Sequence, residues 1–185
     1  MTDPDHPPWS HRIALVDVPD EGLHVAIEAD AEVRAILART ANLRELPRLE
    51  ASFDLRRKGA GVLHVTGEVV AEIGQNCVVT LDPVEQSLHE PVDVTFSPGA
   101  ADTLGDGDGE ATFTMTDTDA PEPLADGNVD LGVIATEYFL LGIDPYPRKE
   151  GAVFESTVAK DPRESPFAAL AELADPQKKR PPERK

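Results

Sequence analysis

The chain has 185 residues, and 35 acidic side chains against 17 basic ones give a formal net charge of −18. That length suits one domain with tails, no apolar run approaches the roughly 18 residues that span a bilayer, and the start, MTDPDHPPWS, lacks the marks of a secretory leader. The lone cysteine, Cys77, excludes an intrachain disulfide and fits a cytoplasmic protein, and a uniform −18 would exclude nucleic acid, anionic membranes and acidic partners.

Residues 1–10, rich in Pro and Asp, are expected to form a flexible N-terminal arm. Residues 11–18 (HRIALVDV) and 23–29 (LHVAIEA) have the alternation of strands, with Leu23, Val25 and Ile27 on one face. Asp30 then stands as N-cap to AEVRAILART, where Glu32 lies in the first turn and Val33, Ile36 and Leu37 recur at helical spacing. This predicts a helix over 31–41, with Arg34 and Arg39 off its apolar stripe. Residues 48–57 alternate Leu49, Ala51, Phe53 and Leu55. Residues 61–73, 77–81 and 84–96 continue the strand pattern, with a turn at Leu81-Asp82-Pro83. Their connections are too short for crossover helices, so an antiparallel meander is expected.

Residues 98–128 change character to Gly, Asp and Pro clusters, which reads as a solvated acidic loop. Asp130 opens a second predicted helix over 130–142, with Leu131, Ile134, Ala135, Tyr138 and Leu140 or Leu141 on its stripe. Ser165-Pro166 starts a short helix over 165–173, and a basic tail succeeds it. The expected fold is α+β. A single domain over 11–160 is centred on an antiparallel β-sheet or partly open barrel with two main helices, and 161–185 carry the short helix and basic tail.

Position changes the meaning of the charge. Between Gly59 and Pro147 there are 17 acids and no Lys or Arg, so the rest of the chain is near neutral and locally basic. Phosphates respond to the field within about 8–10 Å rather than to the total. The candidate RNA-binding residues are Arg34, Arg39, Arg56, Arg57 and Lys58, together with Lys178, Lys179 and Arg180 of the tail. No aromatic-rich strand accompanies them, so contacts to phosphates are expected rather than base stacking.

Catalysis and metal binding find little support. The sequence has no nucleophile elbow, P-loop, dinucleotide fingerprint or H-E-x-x-H. His24 and His64 sit on predicted strands as structural or surface residues, and Cys77 lies in an apolar stretch, CVVTL, as a buried inert thiol. Asp106, Asp108 and Glu110 begin with calcium-loop spacing, but Ala111 stands where the turn needs Gly. No cofactor, metal, small-molecule substrate or membrane partner is expected.

Three stretches together resemble the YceD family of large ribosomal RNA subunit accumulation proteins: GEVVAEIGQNCVVTLDPVEQSLHEPVDVTFSP, VDLGVIATEYFLLGIDPYPR and SPFAALAEL. Their order and spacing carry the resemblance. Cys77 matches the first thiol of the family's C-x-x-C, but Thr80 occupies the second place. The resemblance implies that this chain lacks any zinc site those thiols make in relatives, leaving the turn to be held by packing alone. It also implies a non-enzymatic role in the synthesis, processing or stability of large-subunit (23S) ribosomal RNA, with that RNA or its precursor particle as partner. Asp130 and Glu137 match the family pattern and are candidate partner-docking residues, although the simpler expectation for Glu137 is a carboxylate buried or half-buried against backbone or Arg. The alternative function is an acidic adaptor or chaperone-like factor that docks basic ribosomal proteins through residues 102–130.

Overall fold

A strand with an apolar residue at every second position has one face to bury, and three long strands of this kind dominate the molecule. The structure is a computed structural model that describes residues 7–59, 61–98 and 121–154. Strands β3 (Glu45–Lys58), β4 (Val62–Asn76) and β5 (Pro83–Ser97), of 14 or 15 residues each, form the expected antiparallel meander. Strand β2 (Leu23–Glu28) adds antiparallel to β3. The register lines up Leu23, Leu55, Val65 and Val94 in one row and Val25, Phe53, Gly67 and Val92 in the next. Leu49, Phe53, Leu55, Leu63, Val65 and Val69 on this face are fully buried. A side chain at Gly67 would bring its Cβ within 2.0 Å of the Ser52 carbonyl oxygen, so only glycine fits where β3 and β4 approach.

Two expectations about the sheet are corrected. Strand β6 (Glu122–Pro123) pairs parallel to β5, Phe96 opposite Glu122, so the five-stranded sheet is mixed rather than antiparallel. Its order is β2-β3-β4-β5-β6, with β2 and β6 at opposite edges among the described residues, so the sheet is open rather than a closed barrel. Residues 77–81 form the turn between β4 and β5 rather than a strand, because the Cys77 amide reaches back to the Asp82 carbonyl and the Leu81 amide to the Cys77 carbonyl. Likewise only Arg12–Ala14 of the stretch 11–18 is a strand, β1, and Leu15–Asp17 coil into a 3-10 turn.

Helix α1 (Ala31–Thr40) begins where Asp30 caps it: the Val33 amide donates to the Asp30 carboxylate at 2.8 Å. It packs on β3 and fully buries only Leu37. Helix α2 (Leu131–Gly142) covers β4 and β5 with Leu131, Ile134, Ala135 and Phe139. The stripe predicted for it is therefore rotated. Phe139 takes the inner place, and Leu141 is 75% exposed.

A second, two-stranded sheet pairs β1 antiparallel with β7 (Asn128–Asp130). Asp130 is its fulcrum. Its carboxylate accepts from the Gly132 and Val133 amides as the cap of α2, from the His11 amide at 2.8 Å and from the Ser10 hydroxyl. Trp9, which falls in the arm expected to be flexible, is core, 6% exposed. A Cβ on Gly132 would sit 2.6 Å from the Trp9 carbonyl oxygen.

These elements all belong to the unit Met1–Ala152, and Val153 starts another. The helix at 165–173, the basic tail, residues 1–6 of the arm and residues 99–120 of the acidic loop lie outside the described residues.

Asp130→Ala removes a helix cap and orphans the His11 amide. It should lower stability by about 1–2 kcal/mol or more. Gly132→Ala should push the Trp9 segment off α2. Trp9 is the sole tryptophan, so its emission should move to the red in both variants, and urea unfolding followed by fluorescence measures both effects.

Candidate functional site

The five candidate bases within the described residues do not converge. Arg34 and Arg39 lie on α1, which starts beside Leu49: the Ala29 amide donates to the Leu49 carbonyl. Arg56, Arg57 and Lys58 end the same strand β3, and seven residues of strand separate Leu49 from Arg56 by roughly 23 Å.

The two clusters also differ in availability. Arg34 donates to the Ala29 carbonyl and Arg39 to the Ala35 carbonyl. Nearby, Arg44 is paired with Glu45 at 3.0 Å, and Arg48 grips both oxygens of Glu50 at 2.6 Å. That fork of hydrogen bonds holds the Glu50 carboxyl below its ordinary range and raises the Arg48 guanidinium above its own. At the other end, Arg57 reaches only the Val18 carbonyl at 3.4 Å and Asp20 at 3.9 Å. Arg56 and Lys58 are exposed, with no ion pair or hydrogen bond among the described residues. Arg34 and Arg39 are each tied to a backbone carbonyl, whereas the side chains of Arg56 and Lys58 at the β3–β4 hairpin have no bonded partner among the described residues. Lys178, Lys179 and Arg180 lie outside the described residues.

Asp130 and Glu137 border one cleft of about 410 Å³ between β5, β6, β7 and α2. Val94, Phe96, Val133 and Tyr138 make its apolar walls, and Arg12 stands at its rim, 3.9 Å from Asp130. Asp130 is committed to the bonds that fasten the N-terminal segment. Glu137 overturns the simpler expectation: it is exposed, with no bonded partner among the described residues. It sits on a helix face that also shows Val133, Leu140 and Leu141 to solvent. An apolar face carrying one free carboxylate suits a protein or peptide contact better than a phosphate.

The β4–β5 turn carries a feature that the sequence concealed. Cys77 is fully buried, and its sulfur accepts from the Val79 amide at 3.4 Å and the Thr80 amide at 3.5 Å. A hydrogen bond from the Lys149 amide leads the effects that lower the thiol to about 6, followed by the Thr80 hydroxyl. Thr80, in the place of a second cysteine, therefore donates to the remaining sulfur. The turn is held by this net, by the Val78 amide on the Pro147 carbonyl and by Lys149 on Asp82 at 3.1 Å, not by packing alone. The hydrogen bond and charge of Lys149 hold the Asp82 carboxyl below its ordinary range. At the tip Leu81, 75% exposed, adopts a left-handed φ of 64°. Sequence reasoning also missed the outer face of the sheet. There His24 bonds Asp54, His64 bonds Asp93 and His89 bonds Glu68 across strands.

A family model described as large ribosomal RNA subunit accumulation protein YceD matches residues 65–174, more than half of the chain. No curated protein and no solved structure matches. The matched span contains the Cys77 turn, the cleft and α2, whereas Arg34, Arg39, Arg56, Arg57 and Lys58 lie outside it. Among the described residues no helix is long and apolar enough to cross a membrane.

The thiol of Cys77 is lowered on folding from 9.0 to about 6, so between those values the unfolded chain binds the extra proton. Stability should therefore rise with pH across that window. The gap between the wild-type protein and Cys77→Ala in urea midpoint should widen from about pH 6 to about pH 9. A gap that stays constant would show that the sulfur remains protonated.

Proposed function

The chain belongs to the YceD family of large ribosomal RNA subunit accumulation proteins, and on that premise we propose that it is a non-enzymatic, cytoplasmic ribosome biogenesis factor. It acts on 23S ribosomal RNA or its precursor particle and sustains the synthesis, processing or stability of that RNA. The observation that supports direct contact is the unspent positive charge of Arg56 and Lys58 at the hairpin, flanked by Arg57. A hairpin tip bearing three adjacent bases follows a phosphate backbone without reading sequence. The carboxylates across β4 and β5 oppose RNA binding on that part of the sheet, so contact on the sheet is placed at the hairpin end. The non-enzymatic reading rests on the histidines and the thiol. His24, His64 and His89 are each bonded to a cross-strand carboxylate on the outer face, and the one thiol is sealed inside a turn.

A second reading, an adaptor that docks basic ribosomal proteins through residues 102–130, gains support from further acids on the outer face of the sheet. There a shallow groove of about 480 Å³ is ringed by Glu28, Glu50 and Glu68.

Retention on large-subunit RNA should fall steeply with salt, and Arg56→Ala/Arg57→Ala/Lys58→Ala should flatten that dependence by about 2 in logarithmic slope. Arg34→Ala/Arg39→Ala should change it less. Sedimentation under mild salt should place the wild-type protein with large-subunit precursors. If the triple variant keeps full RNA retention while deletion of residues 102–127 abolishes pull-down of ribosomal proteins, the adaptor reading replaces this one.

A further inference from the structure

Strand β2 is an edge of the five-stranded sheet. The Ala29 amide donates to the Leu49 carbonyl, so residues 23, 25, 27 and 29 turn their backbone groups toward β3. The amides and carbonyls of His24, Ala26 and Glu28 consequently point outward, and no described residue satisfies them. Edges of this kind are ordinarily guarded by Pro, Lys or a bulge. The opposite edge, β6, is two residues long and contains Pro123. Strand β2, LHVAIE, has none of these guards.

We propose that β2 pairs antiparallel with β2 of a second copy, joining two sheets into one across a twofold axis at Ala26. Three features of the sequence fit that register. The small residue lies on the axis, where its own copy faces it. His24 falls opposite Glu28 of the second copy, twice, on the outer face. Val25 falls opposite Ile27, twice, on the core face. A shift of two residues in either direction separates His24 from Glu28. Leu23, Val25 and Ile27 are only half-buried although they belong to the core face, and a neighbouring strand would complete their cover.

Charge selects this edge as well. The 17 acids of the block between Gly59 and Pro147 all come after β3 in the chain, whereas residues 23–48 hold four acids and four bases. Along β2, Glu28 of each copy faces His24 of the other, and the neighbouring Glu50 is already held by Arg48. A meeting along the β5–β6 side would bring Glu85, Glu90, Asp93 and Glu122 of each copy together. The pairing of six-residue strands is small, so the expected dimer is reversible and concentration-dependent.

The test uses the full chain. Sedimentation equilibrium over roughly 1–300 µM should show the wild-type protein passing from monomer to dimer. Ala26→Pro removes an amide that faces away from β3, so the monomer should keep its melting temperature and lose the dimer. Ala26→Lys, which opposes like charges on the axis, should do the same and serves if the proline variant fails to fold. Facing residues of a hydrogen-bonded pair lie about 5.5 Å apart at Cα, within reach of a disulfide. Ala26→Cys should therefore cross-link between chains under mild oxidation. Ser52→Cys, one strand further in on the same face, should not. A wild-type protein that stays monomeric throughout, a dimer that survives Ala26→Pro, or cross-linking of Ser52→Cys as fast as of Ala26→Cys would overturn the proposal.

Discussion

Three paired strands of 14 or 15 residues present an apolar face on one side only, and that asymmetry sets the task of every other element. Each fully buried Leu, Val or Phe on this face contributes about 1.5–3 kcal/mol if water is kept from it. Helix α2 supplies the cover over β4 and β5, α1 supplies part of it over β3, and Trp9 and Val18 fill in from the N-terminal segment. The outer face needs no cover because its polar groups meet across strands, as His64 meets Asp93 and Ser87 meets Glu72. One-sided burial therefore fixes the register and leaves a broad polar surface to solvent.

The elements that repeat are the ones the sequence displays. Alternation of Leu49, Ala51, Phe53 and Leu55 marks β3, and Asp30 and Asp130 mark the starts of both helices, because strand pleat and helix capping are local physics. What escapes is settled by distant partners. Glu122 and Pro123 become a parallel strand only because Phe96 lies beside them, and nothing in a Glu-Pro pair announces that. Trp9 looks loose among prolines and aspartates until Asp130 draws its neighbours in. The run 77–81 reads as a strand from its valines, yet sulfur-directed amides bend it into a turn. The place of Glu137 on an apolar helix suggests burial, but the rotation of that helix by its Phe139 anchor turns the carboxylate outward. The candidate bases share only a sign in the sequence, and which of them is tied to a carbonyl, as Arg34 and Arg39 are, shows only once the chain is folded.

The molecule is thus segregated along the sheet as well as along the sequence. Arginines tied to carbonyls or glutamates gather at the α1 end, Arg56 and Lys58 stand without a bonded partner among the described residues at the β3–β4 hairpin, and carboxylates spread across β4 and β5. The family-matched half holds the apolar cleft and the Cys77 turn, whereas the free bases belong to the half outside it.

Asp130 joins residues 119 positions apart in sequence when it accepts the His11 amide. During synthesis at about 5–20 residues per second, the first strand would wait roughly 6–24 s for its partner to be made. The β2–β5 meander has all its own partners well before that and can fold while β1 and Trp9 are still unsatisfied. The last step of assembly is then the return of the chain's beginning to a helix that did not exist when it emerged, so the N-terminal segment acts as a latch closed from the far end.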